Sequence, residues 1–147
     1  QKQRRPQWTD EDGNITGVIG GENAKFKMLA DFINSLTEEQ CAKVIRIEFR
    51  KGAEVSTITA TDIEKLTGLL EIAVDESETL TEFNLNGNKT IESVSIFKCS
   101  ALEKLDVKNC VALYHLEAAQ CPKLTALDVD GCSSLGSIWL NGSSITN

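Results

Sequence analysis

The chain has 147 residues, 41% of them hydrophobic, 25% charged and 5% aromatic, a composition that supports one compact domain and leaves no room for two large ones. Its formal charge is -7, and residues 66–147 hold eleven acids against five bases, so a general grip on nucleic-acid phosphates is excluded. No apolar run approaches the roughly 18–20 residues that span a bilayer, and no membrane span is expected.

In chain order, residues 1–14 are rich in Gln, Arg and Asp, with one Trp and one Pro, and read as a flexible tail. The start at Gln1 leads to the expectation that a leader has been removed. Glu22–Leu36 carries Phe26, Leu29, Phe32, Ile33 and Leu36 at helical spacing. Thr37-Glu38-Glu39-Gln40 predicts a second helix start, with Thr37 as cap and Gln40 closing a capping box. Val44, Ile47 and Phe49 then predict a strand. Thr61–Gly68 predicts a short helix with Thr61 or Asp62 as N-cap and Gly68 at its C-terminal end.

From Leu69 onward the sequence repeats with a period of eleven. The first apolar slot reads Leu69, Leu80, Ile91, Leu102, Leu113, Leu124 and Leu135. Three residues later stand Ile72, Phe83, Val94, Leu105, Leu116, Leu127 and Ile138, and two further on Val74, Leu85, Ile96, Val107, Ala118, Val129 and Leu140. The ninth position is always small: Ser77, Asn88, Cys99, Cys110, Cys121, Cys132, Ser143. With independent draws at the chain's own composition, filling every apolar slot has a probability on the order of 10⁻⁸.

The pattern L-x-x-L-x-L-x-x-N/C resembles the strand motif of leucine-rich-repeat proteins over about the last 80 residues. An ordinary repeat takes about 20–29 residues per coil and carries the motif once. Two units of eleven make one coil carrying it twice, which resembles the short, nested class found in exported and surface bacterial proteins. The fold this implies is an α/β, right-handed leucine-rich-repeat solenoid with parallel β-sheet and an N-terminal helical cap: residues 15–42 form the cap and residues 43–147 the solenoid. Strands near 70–74, 92–96, 114–118 and 136–140 would stack on one wall, and strands near 82–85, 104–107 and 126–129 on the other. The first coil reads as strand plus helix. The C-terminal coil has no lid, so the expectation is that the chain is truncated there, that Ile145 folds back, or that two copies meet end to end as a homodimer.

The resemblance implies that Asn88, Cys99, Cys110, Cys121 and Cys132 form a structural ladder inside the turns, bonding backbone of the next coil. They read as small buried residues in two columns, Cys99 over Cys121 and Cys110 over Cys132. Stacked parallel side chains suit a disulfide's dihedral poorly, and eleven-residue spacing separates neighbours onto opposite walls, so no metal site is expected. Cofactor chemistry has no motif either. Gly17-Val-Ile-Gly20-Gly21 fits neither the dinucleotide fingerprint nor the P-loop, and the single histidine has no G-x-S-x-G partner. Asp106 and Asp128 share an exposed column with Asn84 and read as wall-solvating residues. Asn14, Asn88 and Asn141 match the N-glycan acceptor pattern, with Asn88 discounted because it points inward.

Strand residues between the apolar slots face outward. On the wall continuing from Val44–Phe49 they include Phe97, His115, Glu117, Trp139 and Asn141, with Tyr114 beside His115; the outward positions of the opposite wall have no aromatic. Aromatics on a rigid polar sheet make contact anchors, so these six residues are the candidate ligand-binding set. The function expected is non-enzymatic: a protein- or glycan-binding module of a secreted, periplasmic or cell-surface bacterial protein, with self-association through the open coil as the alternative.

Overall fold

A computed structural model describes residues 8–145; the expectation of a tail over residues 1–7 lies outside the described residues. Trp8 and Thr9, placed in that tail by sequence, instead form a strand, β1 (Trp8–Thr9), antiparallel to β2 (Ile15–Ile19). The turn between them is held by Asp10, whose Oδ1 accepts the N–H groups of Asp12 and Asn14 at 2.9 Å each.

The molecule is a parallel-sheet β-solenoid of about four turns, and among the described residues helix is confined to α1 (Leu29–Asn34) and α2 (Glu38–Cys41). One wall comprises β1, β2, β3 (Val44–Phe49), β5 (Glu71–Asp75), β7 (Ser93–Phe97), β9 (His115–Ala119) and β11 (Ser137–Trp139), in that order. The other comprises β4 (Thr57–Thr59), β6 (Glu82–Asn84), β8 (Lys104–Asp106) and β10 (Ala126–Asp128). Every pair except β1·β2 is parallel, and the register repeats at 22 residues along each wall: Ile72, Val94, Leu116 and Ile138 align, as do Phe83, Leu105 and Leu127. Alternating side chains from both walls meet in one continuous core, where Leu69, Ile72, Leu80, Phe83, Val94, Leu105 and Leu116 are at most 1% exposed.

Two local expectations change. The segment Thr61–Gly68 is a run of turns, not a helix: Glu64 N–H bonds Thr61 C=O and Leu66 N–H bonds Ile63 C=O, three residues back in each case. The first coil therefore also has two walls, because Thr57–Thr59 supplies β4 with Ile58 buried opposite Phe83. The predicted Glu22–Leu36 helix shrinks to Leu29–Asn34. Asn23 sits in the left-handed region at φ 57°, and the stretch before the helix is stitched to its surroundings by Gly20 N–H to Phe26 C=O and Glu54 N–H to Lys27 C=O, both 2.7 Å. Those bonds compete with helical ones. Phe26 nevertheless stays buried, packed edge-to-face on Phe32 with centroids 5.6 Å apart.

The second helix has the predicted capping box: Thr37 Oγ1 accepts Gln40 N–H at 3.1 Å and Gln40 Oε1 accepts Thr37 N–H at 2.9 Å. Phe32 lies over Gly17 in β2, where an added Cβ would stand 2.5 Å from the ring. Glycine is required there by close approach. At the far end the core thins: Leu127, Val129, Cys132, Leu135, Leu140 and Ile145 are only part-buried, and Ile138 is 46% exposed. No helix among the described residues is long and apolar enough to cross a membrane.

Candidate functional site

The outward face of the seven-stranded wall is read in columns. Arg46, Glu71, Ser93, His115 and Ser137 align in one, and Glu48, Ala73, Ser95, Glu117 and Trp139 in the next. The N-terminal half of this face is an ion-pair network: Glu48 bonds Arg46 Nε at 3.1 Å and Arg50 Nη2 at 2.9 Å, and Arg46 Nη1 lies 3.5 Å from Glu71. Burial would raise the Glu48 carboxyl, but the hydrogen bonds from Arg50 and Arg46 outweigh it and hold the group below its ordinary value.

The C-terminal half is different. Trp139 is 54% exposed, yet its indole Nε1–H donates to Ser137 Oγ at 2.8 Å. The same oxygen lies 3.1 Å from His115 Nδ1, and His115 Nε2 lies 3.6 Å from Glu117 Oε1. The four polar groups are mutually compatible when the ring proton is on Nε2, since Ser137 O–H then donates to Nδ1 while its lone pair receives the indole. Of the six candidates read from sequence, His115, Glu117 and Trp139 belong to this cluster. Tyr114, 53% exposed, precedes β9, and its carbonyl accepts the N–H groups of Gly136 and Ser137. Phe97 stands two strands from Trp139, about 10 Å across the sheet, with Lys98 Nζ 5.3 Å from its ring centroid. Asn141 follows β11, and its carbonyl accepts Gln120 N–H at 2.6 Å. Sequence reasoning missed Ser137, the residue that ties the cluster together, although its column alignment with His115 follows from the 22-residue register.

Ser, His and Glu are the residue types of a hydrolytic triad. Here the serine oxygen is occupied by the indole N–H, and 3.6 Å is too long for the hydrogen bond that orients a catalytic base. The arrangement orients the indole.

The remaining candidates resolve into structure. Asn84, Asp106 and Asp128, the polar column of the other wall, are half-buried, and each accepts the N–H two residues on, at 3.0, 2.9 and 3.0 Å, closing a side-chain turn at the strand end. The ladder residues work inside the turns. Asn88 Oδ1 accepts Ile91 N–H at 2.8 Å, while Cys110 and Cys132 thiols donate to Leu85 and Val107 carbonyls of the preceding coil at 3.2 and 3.0 Å. Cys99 and Cys121 instead face carbonyls of their own turns. All five cysteines are free thiols, and no metal-binding cluster occurs among the described residues. The hydrogen bond with Cys121, together with burial, pushes the Cys99 thiol up. A groove of about 610 Å³ between α1, α2 and residues 65–67 is lined by Ile33, Leu36, Cys41 and Ala42 with Glu38 and Lys65, none of them aromatic.

Comparisons of the chain with protein-family models, with curated proteins and with solved structures return no match. The functional argument rests on the wall itself.

Proposed function

We propose that the chain is a non-enzymatic binding module whose seven-stranded wall, around Trp139, holds a protein or glycan ligand. The observation that carries this reading is an exposed indole fixed in place by Ser137 beside the His115–Glu117 pair. An aromatic plane that is already oriented loses little rotamer freedom on binding, and flanking polar groups give it direction. A sugar ring or a planar side chain stacks on such a surface. The leucine-rich-repeat assignment, with residues 15–42 as an N-terminal cap, belongs to the same proposal, as does a secreted, periplasmic or surface location in a bacterium. The support for that assignment is the recurring motif and the burial of its apolar slots.

With Trp8→Phe, fluorescence reports Trp139 alone. Titration with a panel of glycans and peptides should give a saturable change for one ligand class. Ser137→Ala, which frees the indole, should weaken that binding roughly 2–10-fold, the worth of one hydrogen bond at about 0.5–1.5 kcal/mol. Affinity unchanged in Ser137→Ala and in His115→Ala would sink the assignment of this face.

A second reading, an assembly unit that self-associates through its open C-terminal coil, is favoured by a separate observation: the exposure of Ile138 among part-buried core residues.

A further inference from the structure

The outward face of β7, β9 and β11 divides its polar groups unequally. Ser137 and His115 are engaged with each other and with the indole: Ser137 Oγ receives Trp139 Nε1–H at 2.8 Å and lies 3.1 Å from His115 Nδ1. Glu117 is left over. Its side chain is 40% exposed, its nearest charged neighbour among the described residues is His115 Nε2 at 3.6 Å, and no Lys or Arg among them pairs with it. The strands Ser93–Phe97, His115–Ala119 and Ser137–Trp139 contain neither residue type. At the other end of the same wall the carboxylates are paired, Glu48 by Arg46 and Arg50 and Glu71 by Arg46.

Glu117 also stands beside the most exposed ring of this half of the wall. It pairs in register with Trp139, one strand spacing of about 4.8 Å away. With the positive N–H edge of the indole held by Ser137 and the residue still 54% exposed, what it offers a ligand is chiefly ring face, the electron-rich part that attracts cations. The wall uses this chemistry within itself: Lys98 Nζ sits 5.3 Å from the Phe97 centroid. Phe97 therefore has its cation, whereas Trp139 has none among the described residues. An outward face stays outward whether or not a further strand pairs with β11.

We propose that this face recognises a cationic side chain, an arginine of a protein partner, whose guanidinium stacks on the Trp139 ring and donates to the Glu117 carboxylate. The proposal deepens the binding reading and rests on it. Arginine follows from shape and charge together. A planar guanidinium fits an aromatic face and a carboxylate at once, within the ~6 Å over which a ring attracts a cation. A neutral sugar returns only hydroxyl hydrogen bonds for the water it strips from a charged carboxylate, a poorer exchange. The setting adds to the attraction, since the eleven acids against five bases of residues 66–147 steer a basic partner toward these coils.

In the Trp8→Phe background, Trp139 emission is titrated with three probes. These are a capped peptide carrying one arginine, the same peptide carrying citrulline, which keeps the planar shape without the charge, and neutral oligosaccharides. The arginine peptide should saturate the signal, and the citrulline peptide should bind about tenfold more weakly or worse. Glu117→Gln, nearly isosteric on a half-exposed side chain, should erase most of that difference while leaving the Trp139 spectrum of the free protein unchanged. Added salt should weaken arginine binding more in the parent than in this variant. Should Glu117→Gln fail to fold, the arginine and citrulline affinities of the parent and their salt dependence decide alone. Equal binding of the two peptides, or an arginine preference that survives intact in folded Glu117→Gln, overturns the proposal. Saturable binding of an oligosaccharide without a response to the arginine peptide overturns it too, while upholding the wall as a binding face. No saturable response to any of the three probes removes both.

Discussion

Leu105 and Leu127 occupy the same slot one coil apart and pair directly between β8 and β10, yet Leu105 is 1% exposed while Leu127 is only part-buried. Identical truncations therefore probe position and not chemistry. Leu105→Ala should cost about 2–5 kcal/mol, transfer and cavity together; Leu127→Ala should cost about half as much, because its surroundings are already partly wet. Urea denaturation of the two variants checks this, and equal losses would mean that the open end is covered in solution. Cys110 offers a second probe at this scale. Its thiol is fully buried, and burial pushes it up to about 11. The unfolded thiol ionises near its ordinary value, so the stability this group lends is whole below that value and drains as pH climbs toward about 11. Cys132 and Cys99 are shifted the same way. The unfolding midpoint should fall over this window, less steeply in Cys110→Ala; superimposable profiles would count against a dry thiol column.

At the scale of the element, every unit turns through a left-handed residue. Glu76, Gly87, Lys98, Asn109, Gln120, Gly131 and Gly142 stand eleven apart with φ between 55° and 83°. A side chain in that region costs about 1–2 kcal/mol, so Glu76→Gly should raise stability by up to ~1 kcal/mol after the added chain entropy is subtracted, whereas Glu76→Ala should not. A lower melting temperature in Glu76→Gly would contradict the argument. Sequence reading did not find this position, because only Gly87, Gly131 and Gly142 are glycines there and the other four units carry Glu, Lys, Asn and Gln. The apolar slots, the two-wall arrangement and the Thr37 capping box were legible, since each follows from period or from a local motif. The β4 strand was not. Thr57-Ile58-Thr59 has a single apolar residue, and it precedes Phe83 by 25 residues, off the eleven-residue grid. The long first helix misread buried Phe26 as helical because burial and helix produce the same spacing when a loop packs on a core. In the site, the outward columns were legible from strand alternation, but the bond from Trp139 to Ser137 depends on side-chain rotamers, which no period encodes.

At the scale of the molecule, a solenoid whose coils touch only their neighbours has a stability that varies along its axis. The two ends are built unlike one another. At the start, Phe32 of α1 seals β2 over Gly17, so Gly17→Ala should displace the ring and cost about 1–3 kcal/mol by overpacking. At the finish, β10 and β11 are edge strands over a part-exposed core. Interior strands β5 and β7 are paired on both sides and backed by residues at most 1% exposed. Native-state hydrogen exchange, run dilute enough to keep the chain monomeric, should therefore find a gradient: slowest amides in β5 and β7, and faster ones in β10 and β11, whose opening breaks one interface instead of two and exposes a core that is already part-exposed. Gly17→Ala should lower protection in β2 and β3 first and leave β9 nearly unchanged, because the displaced Phe32 and Ile47 side chains meet those two strands and the strain reaches the later coils only through their neighbours. If all strand amides instead exchanged with one free energy, and Gly17→Ala lowered them equally, the coils would open as a single unit, and the open end would be no weaker than the core it terminates.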